Sequence, residues 1–223
     1  SLQLGCSGGD YMTKVLILGA AGQIARLAEQ QFLANTSDNL TLYLRNSSRV
    51  ADLQSDRVTI IDGDTTDEAK LTLAMADQDV VYANLAGQNI KQQAQTVLKA
   101  MHASGLKRLI WISTLGIYNE VPGKFGQWNN ATLGSYLTRY YDAAEVLENS
   151  DLDYTIIRPA WLTDKDEIDY ETTQRNEPFK GTEVSRKSIA ALVVKLAQDS
   201  TSGIRTSLGV NKPNTDGDKP AWY

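Results

Sequence analysis

A chain of 223 residues, 42% hydrophobic and 22% charged, is long enough to bury the core of one α/β domain. Its net charge of −5 argues against nucleic acid as a partner, and no apolar run approaches the roughly 18 residues of a membrane span. One cysteine, Cys6, allows no internal disulfide, and one histidine, His102, leaves little for a metal site or a Ser-His-Asp triad. The expectations are therefore no metal, no membrane association and a reducing cytoplasm.

Residues 1–11 (SLQLGCSGGDY) lack periodicity, a cationic start and a sustained apolar core, so they do not read as a signal peptide. They are either a tag remnant or a loose extension before Met12, and residues 12–223 form one domain. The first strand, 14–18, is followed at once by Gly19-Ala20-Ala21-Gly22-Gln23-Ile24-Ala25, which opens a helix over 22–34. A buried strand that turns sharply into a helix N-terminus is a phosphate site, because the first N–H groups have no partner and the helix dipole is positive there. Gly19 permits the tight turn, Gly22 admits a close ligand, and Ala25 lets the helix lie near the strand. The ligand this turn suits is a dinucleotide.

LTLYL (40–44) is the second strand and 47–54 a short helix. A third strand over 58–61 ends in Asp62-Gly63-Asp64, and a helix over 66–75 starts at a threonine or at Asp67. The fourth strand, 79–83, runs into Asn84-Leu85-Ala86-Gly87. A long helix over 89–104 is closed by Gly105, with His102 half-exposed on it, and the fifth strand is 107–113. Residues 116–130, with Pro122, Gly123, Gly126 and Asn129-Asn130, read as a long loop over the site. A helix over 133–149, a strand over 154–157, a polar irregular stretch over 162–181, an amphipathic helix over 185–198 and a last strand over 205–209 complete the chain. The alternation gives a single-domain, Rossmann-type, doubly wound parallel sheet with a small C-terminal substrate-side lobe. Ligands of such sheets bind at the carboxyl ends of the strands.

The ordered landmarks GAAGQIA, Arg45, DGD, NLAG, WIST and DYTIIRPAWL resemble the short-chain dehydrogenase/reductase superfamily. More narrowly, they are similar to its atypical, NmrA-like, NAD(P)-binding branch. The resemblance runs from about Thr13 to the C-terminus and is most specific over residues 145–162. It implies that Gly19, Ala20, Ala21, Gly22, Gln23 and Ile24 wrap the pyrophosphate, with Arg45 beside the adenosine ribose. It places Asp64 and Thr65 near the adenine, Leu85, Ala86 and Gly87 under the riboses, and Ser113 at the nicotinamide. A guanidinium at Arg45, with no carboxylate beside it, favours NADP(H) over NAD(H).

Reductases of the superfamily pair a tyrosine with a lysine four residues later, and the cation lowers the phenol pKa. This chain departs from that pattern: the tyrosine place is Leu137 and the lysine place is Tyr141. Tyr136 and Tyr140, acting with Ser113, remain the catalytic candidates. Trp111, Tyr118, Phe125, Trp128 and Tyr136 would suit a site for a flat aromatic acceptor, with Trp111 serving the core instead. The implied function is NAD(P)H-dependent hydride transfer to a small flat acceptor, such as a flavin or quinone, or to a carbonyl. The alternative is a non-enzymatic NADP(H) sensor of the NmrA type with a protein partner. A small-molecule substrate and a monomer or weak homo-oligomer are expected.

Overall fold

The computed structural model describes residues 12–223; the expectations for Cys6 and residues 1–11 lie outside it. Strand β1 (Lys14–Leu18) alternates between two buried faces: Val15 and Ile17 enter one apolar core, Leu16 and Leu18 the other. A strand covered on both faces needs an unbroken apolar run, as VLIL provides. Strands β2 (Asn39–Leu44), β3 (Val58–Asp62), β4 (Val80–Ala83), β5 (Arg108–Ile112) and β6 (Asp153–Pro159) are parallel to it.

Helix α1 (Gln23–Asn35) packs on one face of the sheet beside α6 (Arg186–Gln198). Helices α2 (Glu68–Ala74), α3 (Ile90–Ser104) and α5 (Ser135–Glu148) cover the other face. Asp67 caps α2 by accepting a bond from the Lys70 amide, and Gly105, at φ +75°, ends α3. His102 is half-exposed at the end of α3 and pairs with Asp151 at 2.6 Å. No helix among the described residues is long and apolar enough to cross a membrane.

Two stretches are more ordered than the sequence suggests. The expected loop over 116–130 gives way at residue 123 to a helix, α4 (Gly123–Leu133). Pro122 precedes it, and Phe125, Gly126 and Asn129 form its buried face. Gly126 is required there, since a Cβ would lie 1.8 Å from the Val121 carbonyl oxygen. The irregular lobe over 162–181 contributes β8 (Glu171–Thr173), which adds antiparallel to β10 (Thr206–Asn211) at the sheet edge. Short strands β7 (Trp161–Thr163) and β9 (Glu183–Ser185) pair with each other above it.

The sheet order is β3-β2-β1-β4-β5-β6-β10-β8. The chain winds outward from β1 to β3, then returns to place β4 on the other side of β1. The crevice at this reversal, outside the carboxyl ends of β1 and β4, is where an open α/β sheet takes its ligand.

Candidate functional site at the carboxyl ends of the strands

The turn after β1 and the turn after β4 close on each other. Gly19 sits at φ +71°, and a Cβ on it would lie 2.2 Å from the Asn84 carbonyl oxygen. A Cβ on Gly22 would lie 1.8 Å from the Asn84 Nδ2. The close neighbour that both glycines admit in this structure is therefore Asn84, a residue sequence reasoning left out of the site. The Tyr82 hydroxyl bonds the Asn84 Oδ1 at 3.2 Å and holds the amide in place. Gly22 is the N-cap of α1 and supplies no side chain to the first amides of the helix. Ala20 is fully buried in the core and Ala21 packs against it, so their methyl groups face inward.

Two cavities of about 270 Å³ each flank Asn84, Leu85 and Ala86. The first is lined by Gly19, Arg45, Asp64, Thr65 and Gly87, all of them site residues expected from the sequence. It is also lined by Arg49 and Gln93, which were missed. Arg49, in the short helix Ser47–Leu53 that follows β2, bonds the Arg45 carbonyl oxygen at 2.7 Å, and its own backbone is anchored by Arg26, which bonds the Arg49 carbonyl at 2.8 Å. Gln93 ties the cavity together. It donates to the Ala86 carbonyl at 2.8 Å and accepts from the Thr65 hydroxyl at 2.9 Å. The bonds from the Thr66 amide and hydroxyl hold the Asp64 carboxyl below its usual range, so it is ionised. Arg45 lies 3.9 Å from that carboxylate, and both groups are open to solvent.

The second cavity brings together Gln23, Ile24, Ser113, Tyr136 and Tyr140, all candidates named from the sequence, with Thr114, Pro159, Ala160, Leu162 and Arg186, which were not. The Ser113 amide bonds the Ile157 carbonyl at 2.7 Å, fixing the residue just beyond β5. Its hydroxyl is buried and has no partner among the described residues. Tyr136 and Tyr140, one helical turn apart on α5, stack at 4.4 Å between ring centroids. The Tyr140 hydroxyl reaches the Leu85 carbonyl at 3.4 Å. Burial, and then the hydrogen bond with Tyr136, push its phenol well above the ordinary tyrosine value. Arg139 bonds Ser135 on the exposed side and does not line the cavity, and its downward pull on the Tyr140 phenol is outweighed by burial.

The expected aromatic lining is mostly elsewhere. Of the five residues, Tyr136 alone lines the second cavity. Trp111 is fully buried in the sheet. Tyr118 is committed to Glu148 at 2.7 Å and Ser207 at 2.9 Å, with Arg175 over its ring at 4.0 Å. Phe125 and Trp128 stack on each other, and Trp128 meets Trp161 and Tyr223. For Phe125 and Trp128 the cause is α4: once helical, this segment packs its aromatic rings against the protein.

A cleft at the strand reversal, with an uncapped helix start between two half-sites, is built for an elongated ligand with a central anionic group. Residues 19–200 match the model of the NAD(P)H-binding family. The chain belongs to that family. A Rossmann-fold NAD(P)-binding family protein from Shigella flexneri is 44% identical, with 94% of this chain and 98% of that one covered and a TM-score of 0.82. A short-chain dehydrogenase/reductase from Veillonella parvula, crystallised with NADP, is 32% identical over 95% of this chain and 100% of that one, with a TM-score of 0.88. A Bacillus subtilis protein named as an uncharacterized sugar epimerase is 27% identical over 187 residues, 79% of each chain. The residues present fit the family's cofactor. The Ser113 hydroxyl is a buried polar group that lacks a partner, and the first cavity combines two guanidinium groups with an ionised carboxylate.

Proposed function

We propose that the protein is an NADPH-dependent reductase of small flat acceptors of the quinone or flavin type. In this reading, residues 19–24 hold the pyrophosphate through backbone N–H groups at the start of α1. Arg45 and Arg49 hold the 2′-phosphate, Asp64 and Thr65 border the adenine, and Leu85, Ala86 and Gly87 lie under the riboses. Two guanidiniums four residues apart, the backbone of one held by Arg26, suit a phosphate better than a free hydroxyl. The NADP bound to the Veillonella relative supports the same preference.

The observation that carries the choice of acceptor is the state of Tyr140. A phenol pushed upward by burial, with no cation in its cavity except the ion-paired Arg186, holds its proton and is a poor acid. Bound NADPH supplies a hydride; a quinone that accepts it takes its proton from water and leaves as hydroquinone. Such an acceptor needs positioning more than acid catalysis. The Ser113 hydroxyl is free to donate to its carbonyl oxygen, and the stacked Tyr136 and Tyr140 rings offer a flat wall. Epimerase and dehydratase chemistry lacks its tyrosine–lysine pair here.

The test follows NADPH oxidation at 340 nm with quinones, FMN and simple ketones in parallel. Turnover with quinone or flavin and none with ketones is the expected result. Absence of turnover with every acceptor would overturn the reading and leave a dinucleotide-binding protein without chemistry.

A further inference from the structure

The geometry points to Arg186 as the binding group for a carboxylate on the acceptor, so that the substrate class is a flat conjugated carbonyl compound bearing an anionic substituent. This rests on the reductase reading for the site, but its own basis is separate. Among the described residues that line the second cavity, Arg186 alone is charged. The others are apolar or neutral, Ile24, Ile112 and Leu162 among them. A full positive charge in such surroundings strengthens any anion that reaches it.

Arg186 is set there by the start of α6. The buried Ser185 caps the helix by accepting from the Ser188 amide at 3.0 Å, and its hydroxyl donates to the Glu167 carbonyl at 2.7 Å. Arg186 follows as the first helical residue, with its side chain 22% exposed. Its one bond among the described residues runs from Nη1 to the Asp164 Oδ1 at 2.7 Å. A guanidinium has five N–H donors in a planar fork, so most of this one is unused. The Asp164 side chain is 78% exposed, beyond the end of β7. An ion pair with so exposed a partner contributes little and is readily exchanged. A substrate carboxylate can take the bidentate position and leave Asp164 in water, where it is well solvated. Ser113 lines the same cavity with an unpartnered hydroxyl, so one bound molecule has a donor for its carbonyl and a cation for its carboxylate.

The probe is anthraquinone-2-carboxylate against its methyl ester, each titrated by calorimetry onto protein saturated with NADP, which permits no turnover. The expected result is a preference of about 10- to 100-fold for the carboxylate, the size of a charge-assisted bond. Arg186→Gln should bring the two affinities level, Arg186→Lys should keep part of the preference, and Asp164→Asn should increase it by removing the competitor. Equal affinities in the parent protein, or binding of neither compound, would overturn the proposal. So would an unchanged ratio in Arg186→Gln, or a loss of NADP affinity in that variant as large as the loss for the carboxylate. A preference for FMN over riboflavin without one for the carboxylate would assign Arg186 to phosphate instead, against the proposal. If Arg186→Gln does not fold, the lysine and Asp164 variants decide. The measurement needs no turnover, so an enzyme inert toward every acceptor would overturn the reductase reading while this ratio is still read.

Discussion

Replacing Glu29 with glutamine should remove most of the pH dependence of stability at neutral pH. Glu29 lies on the inner face of α1 with Ile24, Ala25, Ala28 and Phe32, and is fully buried. Neither carboxyl oxygen has a hydrogen-bond partner among the described residues. Burial pushes its pKa up from 4.5 to about 8, against a smaller downward pull from Arg26. The folded protein therefore holds a proton that the unfolded chain has released at any pH between those values. The contribution of Glu29 to stability is full below about pH 4.5 and falls as pH rises toward about 8, by about 1.4 kcal/mol per unit. Between roughly pH 5.5 and pH 8 the loss is on the order of 3 kcal/mol, a large share of a typical domain's total. Glutamine has the same shape and cannot ionise; the cost of its own buried amide is independent of pH. Urea denaturation, which leaves ionic strength unchanged, should show the two proteins diverging as pH rises, with Glu29→Gln gaining on the parent. Every group that the two proteins share cancels in the difference. Parallel profiles would show that Glu29 ionises near its ordinary value and that the buried carboxyl has a partner or water.

Arg45→Ala and Arg49→Ala should each weaken NADPH about 10- to 100-fold, one charge-assisted bond, and NADH far less; equal losses for both dinucleotides, measured by tryptophan quenching, would remove the 2′-phosphate from these residues. Gly19→Ala forces a Cβ to within 2.2 Å of a backbone oxygen at φ +71° and should cost on the order of 2 kcal/mol or more, read as a lower urea midpoint. Ser113→Ala deletes a buried hydroxyl with no partner among the described residues, so the urea midpoint should hold or rise while kcat/KM for quinone falls about tenfold. A fall in both would make the hydroxyl structural.

Much of the first half-site was legible. The glycine turn, Arg45, Asp64-Thr65 and Leu85-Ala86-Gly87 each follow a strand end, and strand ends converge in a parallel sheet whatever the details of packing. Arg49 carried a signal that was available, since an arginine four residues past Arg45, across one tight turn into the 47–53 helix, stays within reach of the same strand end. Gln93 did not: its role depends on meeting Thr65 from another strand's turn. The 123–133 helix was hidden because glycine, proline and asparagine are poor helix formers, and burial of Phe125 and Asn129 overrides that preference.

The sequence by itself determined the doubly wound sheet and the place of its crevice, because strands buried on both faces and helices with one apolar stripe admit few other arrangements. Only the tertiary structure decided what surrounds that crevice. It brought the start of α6 beside the start of α1 and put Arg186 into a cavity otherwise without charge. It also turned Glu29, an ordinary polar residue in sequence, inward with the core face of α1. Periodicity records which face of an element is apolar, but the side chains that meet across elements are set by how those faces dock.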